Sequence, residues 1–216
     1  MCLQRRLMSM RRRYGRFMDK VERYKEILEA EAESHHVPIL REAERKLFLS
    51  VLEKSKPVRI LEIGTAIGYS TLLLAVHAPQ AVIDTVEIDE GRYKRAMSVV
   101  NDLGLSCRVH CHLGDAAQVI PTLFPGYDFV FLDGPKGQYM TYIKLIEPLL
   151  ADEAVVVADN VLFRGMVVGN EYPPHRYRTI VLRLREYISY MKSHYETTIH
   201  TAGDGLAVSL KGNRKI

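Results

Sequence analysis

The sequence has little cysteine, no long apolar run and no dinucleotide-binding glycine pattern. Its three cysteines, Cys2, Cys107 and Cys111, form no C-x-x-C pair, so we expect reduced, buried thiols in a cytoplasmic protein rather than a disulfide scaffold. No apolar stretch approaches the roughly 18 residues of a membrane-spanning helix, so we expect no membrane partner. Residues 64–69 read GTAIGY, which lacks the G-x-G-x-x-G turn of nicotinamide-dependent oxidoreductases.

Acidic residues are also missing from residues 1–18, which contain six arginines, although the net charge over all 216 residues is only +4. A second basic stretch, HRYRTIVLRLR, covers residues 175–185, and a third contains Lys211, Arg214 and Lys215. Such clusters favour a polyanionic partner, and a solvated surface gives the same pattern. With no repeats and no linker, the sequence predicts a basic N-terminal arm at 1–18, whose order is left open, and a single domain at 19–216.

The most informative stretch is VRILEIGTAIGYS, residues 58–70. It predicts a buried strand, a glycine turn and the first turn of a helix, which is how a doubly wound α/β sheet forms a nucleotide site. Gly64 and Gly68 allow the backbone to bend sharply and approach a ligand, and Ser70 lies where free N–H groups collect. Glu62, just before the turn, disfavours a phosphate and favours a cationic ligand. We therefore expect S-adenosylmethionine (AdoMet), which carries a sulfonium and an amino group.

Two later strand ends fit the same ligand. The segment AVIDTVEID predicts a second strand that ends at Glu87, 23 residues after Gly64. An acid at this place accepts hydrogen bonds from ribose hydroxyls. A salt bridge at a helix N-terminus is the alternative, although Asp89 fits that role better. The next predicted strand ends in Gly-Asp-Ala, where Asp115 and Ala116 are placed to contact an adenine edge.

The order of elements predicts an α/β fold. We expect helices near residues 16–34 and 39–54, the second opened by Pro38 at its first turn. Five alternations of strand and helix follow, and then a hairpin around Gly-Asp-Gly at residues 203–205. The pattern predicts a Rossmann-like, mostly parallel seven-stranded sheet with helices on both faces and an antiparallel C-terminal hairpin strand at the edge.

Polar residues also end the fourth and fifth predicted strands. Asp133 ends FLDG, and Asp159 and Asn160 end VADN. Carboxyl ends of neighbouring parallel strands face one crevice, and three oxygen donors favour Mg²⁺ or another divalent cation over zinc. Caps and turns use the same residues. Lys136 leans over the same crevice and could act as a base beside a cation, or be a surface lysine. Tyr139 could roof the pocket or belong to the core.

Together these motifs resemble the cation-dependent class I AdoMet O-methyltransferases of the catechol and caffeoyl-CoA type. The segments LEIGTAIGYS, VEID, GDA, DGPKGQY and DNVLFRG occur in that family's order. The resemblance is strongest to the bacterial branch that methylates 5-hydroxyuridine in tRNA, and Gly134-Pro135 departs from the family pattern. It implies a dimer, a catalytic Lys136, and a metal held by Asp133, Asp159 and Asn160. The candidate AdoMet contacts are Leu40, Glu62, Gly64, Ala66, Gly68, Ser70, Glu87, Asp115, Ala116 and Asp133.

The predicted chemistry needs an acceptor with two adjacent oxygens that can chelate the cation. The 4-carbonyl and 5-hydroxyl of 5-hydroxyuridine form such a pair, and so do the two hydroxyls of a catechol. The basic stretches favour tRNA as the partner, with methylation at the wobble position to give 5-methoxyuridine. Arg164 is the candidate substrate contact. A small-molecule phenol or catechol is the alternative acceptor.

Overall fold

The computed structural model describes residues 2–169, 172–213 and 215–216, with side chains from residue 13 onward. Within these residues, seven strands form one sheet in the order β3-β2-β1-β4-β5-β7-β6. The strands are β1 (Arg59–Ile63), β2 (Val82–Glu87), β3 (Val109–Leu113), β4 (Tyr127–Leu132), β5 (Leu150–Ala158), β6 (Glu196–His200) and β7 (Leu206–Leu210). The α-helices are α1 (Cys2–His35), α2 (Glu42–Ser55), α3 (Tyr69–His77), α4 (Glu90–Asp102), α5 (Ala116–Val119), α6 (Tyr139–Ile146) and α7 (Arg178–His194).

The predicted architecture is confirmed, with one correction at the hairpin. Strands β1 to β5 pair in parallel, as expected for strands joined by helical crossovers. The antiparallel strand is β7, which pairs with β5 on one side and β6 on the other. It is therefore an inner strand, and β6 forms the edge. The strand order reverses between the parallel strands β1 and β4, since β2 and β3 lie on one side and β5 on the other. A ligand crevice is therefore expected at the carboxyl ends of β1 and β4.

Two apolar cores cover the faces of the sheet. One contains side chains from α1 to α4 and the other contains side chains from α6 and α7. In the first, the rings of Phe48 and Phe131 lie 4.5 Å apart. In the second, Tyr139 and Tyr187 meet edge to face at 5.5 Å. In the part of the chain that the structure describes, no helix is both long and apolar enough to cross a membrane.

The N-terminal helices differ from the prediction. Helix α1 extends back to Cys2, so the backbone of the arginine-rich stretch is helical; the side chains of residues 2–12 lie outside the description. Helix α2 begins at Glu42 rather than just after Pro38, which leaves residues 36–41 as a connecting strap. The expectation of buried thiols is wrong for Cys107, which is exposed and precedes β3, and Cys111 in β3 is only partly buried. The side chain of Cys2 lies outside the described residues.

Ion pairs fasten α1 to the helices beneath it. Glu31 contacts Arg95 of α4 at 2.7 Å, and Glu29 contacts Arg45 of α2 at 2.8 Å. The Tyr69 hydroxyl also donates to Glu29 at 2.6 Å. These partly buried contacts fix the end of α1, and with it the start of the strap at residues 36–41.

Candidate active site

A cavity of about 410 Å³ opens at the carboxyl ends of β1 to β4. Of the residues predicted from the sequence, six line it: Gly64, Ala66, Glu87, Asp115, Ala116 and Asp133. Leu40 and Ser70 line a small adjoining recess. Lys136 lines the main cavity as well. The fold thus brings most of the predicted site residues to this crevice.

The two glycines of the turn are required by neighbouring protein. Gly64 has φ 103°, and a Cβ there would lie 2.6 Å from the Asp133 carbonyl oxygen, so glycine lets the ends of β1 and β4 meet. Gly68 has φ 92°, and a Cβ there would lie 3.2 Å from Ala96 of α4. Gly68 lines neither cavity. Its role in the structure is the close packing of α3 against α4.

Glu62 is fully buried beneath the turn and lines neither cavity. Its Oε2 atom accepts from the hydroxyls of Thr71 and Thr85, the latter at 2.6 Å, while Oε1 has no hydrogen bond. Burial raises the pKa of Glu62 to about 7, and hydroxyl donors, including that of Ser70, oppose the rise. The structure therefore places Glu62 inside the protein, under the glycine turn.

This burial predicts a pH dependence of stability. A carboxyl whose pKa is raised in the folded state stabilises the fold below its unfolded pKa, and that contribution is lost as pH rises through about 7. We expect Glu62 to contribute a loss of about 3 kcal/mol as pH rises from about 4.5 to 7. Glu62→Gln should flatten this slope in urea titrations at several pH values. The exposed Glu33→Gln is the matched control, and equal slopes for the two variants would contradict the assignment.

Glu87 ends β2 and faces the cavity. Its Oε2 accepts from the Ala66 N–H at 2.7 Å, and its Oε1 accepts from the N–H groups of Ile88 and Asp89 at 3.0 and 2.9 Å. The N-cap of α4 is Asp89, which accepts from the Arg92 N–H. The helix-cap role therefore belongs to Asp89, and Glu87 presents a carboxylate held by backbone donors at the cavity wall.

Asp133 and Asp159 stand at the ends of the adjacent strands β4 and β5. The Asp133 N–H donates to Ile63 and the Asp159 N–H donates to Leu132, both at 2.9 Å. The buried Tyr139 hydroxyl contacts the carbonyl oxygens of Leu132 at 2.9 Å and Asp159 at 3.0 Å. Tyr139 is therefore a core residue rather than a pocket roof, and it ties the two strand ends together.

Charges of both signs lie around these two aspartates. Lys136 Nζ donates to Asp133 Oδ1 at 2.9 Å, and its side chain is 20% exposed. Burial raises the pKa of Asp159 to about 7; Asp133 and Glu44 add to the rise and Lys136 opposes it. Burial also raises the pKa of Asp133 against the effect of Lys136. The site thus holds more negative charge than one ammonium group balances.

The donor set fits a hard divalent cation. Asp159 Oδ1 is buried and has no hydrogen bond, and it lies in the field of a second carboxylate. Asn160 follows in a left-handed conformation with φ 55°. Across the described residues, no three His, Cys, Asp or Glu side chains are grouped as a metal site. A cation would therefore depend on the Asn160 amide in addition to the two aspartates, all of them oxygen donors.

Arg164 lies on the loop after Asn160, outside the cavity lining. Its guanidinium donates to the Tyr177 hydroxyl at 3.0 Å and lies 5.3 Å from the ring centre. Two arginines of the basic stretch at residues 175–185, which favoured a polyanionic partner, donate to backbone carbonyls. Arg183 donates to the Gly137 carbonyl at 3.0 Å, and Arg185 donates to carbonyl oxygens of the loop at residues 166–169.

Several cavity residues were missed from the sequence. Gln138 and Tyr142 are four residues apart, which is one helical turn, but neither is three or four residues from Lys136. Helical spacing from Lys136 therefore did not mark them. Val37 and Pro38 come from the strap between α1 and α2, and Leu40 of the same strap was the available signal. Arg92 of α4 carried no pattern that distinguishes it from a surface arginine.

Comparisons with known proteins identify the family of this chain. A family model for O-methyltransferases matches residues 18–212. A caffeoyl-CoA O-methyltransferase from Medicago sativa is 28% identical over 200 residues, 87% of this chain and 81% of that protein. A solved Staphylococcus aureus protein is 29% identical with a TM-score of 0.79, over 87% of this chain and 92% of that chain. The O-methyltransferase TomG from Streptomyces achromogenes, solved in complex with SAM, is 27% identical with a TM-score of 0.70, over 84% and 86%. The chain belongs to the class I O-methyltransferase family and is an AdoMet-dependent enzyme.

Proposed function

We propose that the protein methylates one hydroxyl of a small aromatic molecule that carries a second oxygen on the adjacent carbon, with the help of a divalent cation. The observation that carries the proposal is the buried, unpaired Asp159 Oδ1 beside the Asp133–Lys136 pair at the cavity wall. Asp133, Asp159 and Asn160 would hold the cation, which would supply Lewis-acid stabilisation of the acceptor oxyanion.

The chain's own residues then have distinct tasks. Glu87 binds the ribose of AdoMet, and the Gly64 turn together with Asp115 and Ala116 surrounds the rest of the cofactor. Lys136 takes the proton from the acceptor hydroxyl. The O–CH₃ bond forms as the S–CH₃ bond breaks, which leaves S-adenosylhomocysteine. Because this is an in-line displacement, the enzyme needs orientation and no covalent intermediate.

A cofactor prediction follows for Glu87. Replacing it by alanine removes a buried carboxylate that faces the cavity, so AdoMet affinity should fall by about 1–3 kcal/mol, the scale of a hydrogen bond to a charged group. Isothermal calorimetry measures the change, with Glu90→Ala on the exposed start of α4 as control. Unchanged affinity in a folded Glu87 variant would remove Glu87 from the AdoMet site.

A small acceptor has two supports. The relatives of this chain include caffeoyl-CoA O-methyltransferases from several plants, at 26–29% identity. In addition, Arg185 donates to three backbone carbonyls of this protein and Arg183 donates to one, so fewer of their N–H groups remain for phosphate groups. These contacts reduce the number of arginine donors that the basic stretch at residues 175–185 can offer to tRNA.

The tRNA acceptor remains the second candidate because of one surface. Arg164 and Arg176 are exposed and both pack on Tyr177, near the loop that follows Asn160. Exposed arginine beside an aromatic ring suits an unstacked base and its phosphates. On this alternative the 5-hydroxyl of 5-hydroxyuridine at the wobble position is the methylated group.

The deciding experiment compares acceptors at equal enzyme, AdoMet and Mg²⁺. We expect a higher kcat/KM for a simple catechol than for tRNA that contains 5-hydroxyuridine, and no turnover of phenol, which lacks the second oxygen. Faster reaction on tRNA, with binding that weakens steeply as salt rises, would select the second candidate. Turnover of phenol at the catechol rate would contradict the chelation chemistry itself.

A further inference from the structure

The turn between β6 and β7, residues 202–205, lies against the loop that follows Asp159. The carbonyl oxygens of Gly205 and Asp204 accept from the N–H groups of Val161 and Leu162 at 3.0 and 2.9 Å. The Asp204 carboxylate accepts from the Arg164 N–H. One turn of the C-terminal hairpin therefore holds three backbone donors of the loop that begins at Asn160.

The same turn is held on its other side by Glu44. This α2 side chain is 2% exposed, and its Oε1 accepts from the Asp204 N–H at 2.8 Å. Its Oε2 accepts from the Arg41 N–H at 3.0 Å. Arg41 directly follows Leu40, so Glu44 joins the turn to the strap at residues 36–41 that lines the cofactor cavity.

The fit explains the two glycines that flank Asp204. Gly203 has φ 57°, and a Cβ there would lie 1.8 Å from Glu44 Oε1. Gly205 has φ 91°, and a Cβ there would lie 2.3 Å from Leu162 Cγ. The Gly-Asp-Gly sequence is thus set by close contact with Glu44 on one side and with the loop on the other, beyond what a hairpin turn requires.

The loop needs this support because its backbone is unfavourable. Asn160, Phe163 and Arg164 adopt left-handed conformations with φ 55°, 43° and 58°. Each such non-glycine residue costs free energy and persists only where the surroundings impose it. Residues 204 and 205 accept hydrogen bonds from Val161 and Leu162, which directly follow Asn160. These bonds therefore fix the backbone that carries the Asn160 amide.

We propose that Asp204 is a positioning residue for the Asn160 side of the site, and that Glu44 couples that position to the strap on the AdoMet side. The inference rests on the proposed function for its kinetic readout. Asp204 lines neither cavity and acts through the loop. Glu44 acts through the backbone of residues 41 and 204.

The test compares Asp204→Ala with Asp204→Asn, with Asp152→Ala at the opposite end of β5 as control. The alanine variant should lower kcat about tenfold or more, because small displacements at a reacting centre have large effects on rate, while its AdoMet Kd stays within twofold of wild type. Asparagine keeps an oxygen that accepts from the Arg164 N–H, so it should restore most of the rate. A kcat within twofold of wild type for Asp204→Ala, or no rescue by asparagine, overturns the positioning role.

Hydrogen exchange gives a readout without turnover. In the absence of acceptor, Asp204→Ala should speed exchange in peptides that cover residues 160–166 and leave peptides of α3 unchanged. Glu44→Gln retains only one acceptor oxygen for two N–H donors, so it should speed exchange in both residues 36–41 and 160–166 and weaken AdoMet binding. Exchange that is unchanged at 160–166 in Asp204→Ala overturns the inference. If wild type methylates no acceptor, the proposed function fails while exchange still decides the role of the turn.

Discussion

Replacing Asp159 by asparagine is expected to lower methyl transfer by at least about a hundredfold while AdoMet still binds. The carboxylate has a buried oxygen with no protein partner and stands at the end of β5 beside Asp133. If a cation holds the acceptor there, its electrostatic contribution is several kcal/mol, and each 1.4 kcal/mol is a factor of ten in rate. Asparagine keeps the volume and removes the charge that the cation requires.

Fold and catalysis can be separated in this variant. Because burial raises the pKa of Asp159 to about 7, its ionisation destabilises the metal-free fold as pH rises through that value. Asp159→Asn should therefore be at least as stable as wild type above pH 7 in the absence of metal, as judged by thermal denaturation. A loss of activity cannot then be attributed to unfolding.

Chelation tests the same assignment without mutation. EDTA should stop turnover by the wild-type enzyme, and excess Mg²⁺ should restore it. Asp152→Ala serves as control, since this exposed residue lies at the other end of the same strand. Full activity in chelator, or a wild-type rate for Asp159→Asn, would show that the reaction proceeds without a cation at this site.

The elements that the sequence predicted well are those with local causes. A run rich in β-branched residues predicts strand β1, and an apolar segment after the two glycines predicts helix α3. Parallel strands bring their carboxyl ends to one edge, so Glu87, Asp115 and Asp133 were placed at the cavity from their positions alone. These inferences need only periodicity and topology.

What the sequence did not reveal depends on contacts between distant residues. Nothing local marks Glu44 as the partner of Asp204, 160 residues away. Charge was also misleading: Arg185 looks like a phosphate contact in the sequence, yet it donates to carbonyl oxygens at residues 166, 167 and 169. The function of Gly64 was assigned to ligand approach, whereas its closest neighbour is the Asp133 backbone. In the sequence, a residue that contacts a ligand looks the same as one that contacts the protein's own backbone.

Lys136 is the residue whose loss should cost most after the aspartates. It lines the cavity, and its Nζ lies 2.9 Å from Asp133 Oδ1, where the proposed function places the acceptor hydroxyl. Removal of a general base lowers rates by roughly 10²–10⁴-fold. Lys136→Met keeps the aliphatic stem and deletes the amine, so kcat should fall in that range while AdoMet Kd changes little. Lys46→Met on the exposed face of α2 is the control.

Two further measurements decide whether Lys136 removes the proton or only supplies a positive charge. Arginine retains the positive charge and stays protonated in proteins, so Lys136→Arg should remain as impaired as Lys136→Met if the amine takes the proton. The methionine variant should recover with rising pH, by about tenfold per unit below the pKa of the acceptor hydroxyl, because solvent then removes the proton that Lys136 removes in wild type. Restoration of activity by arginine, together with a flat pH profile for the methionine variant, would make Lys136 an electrostatic partner of Asp133 and leave proton removal to another group.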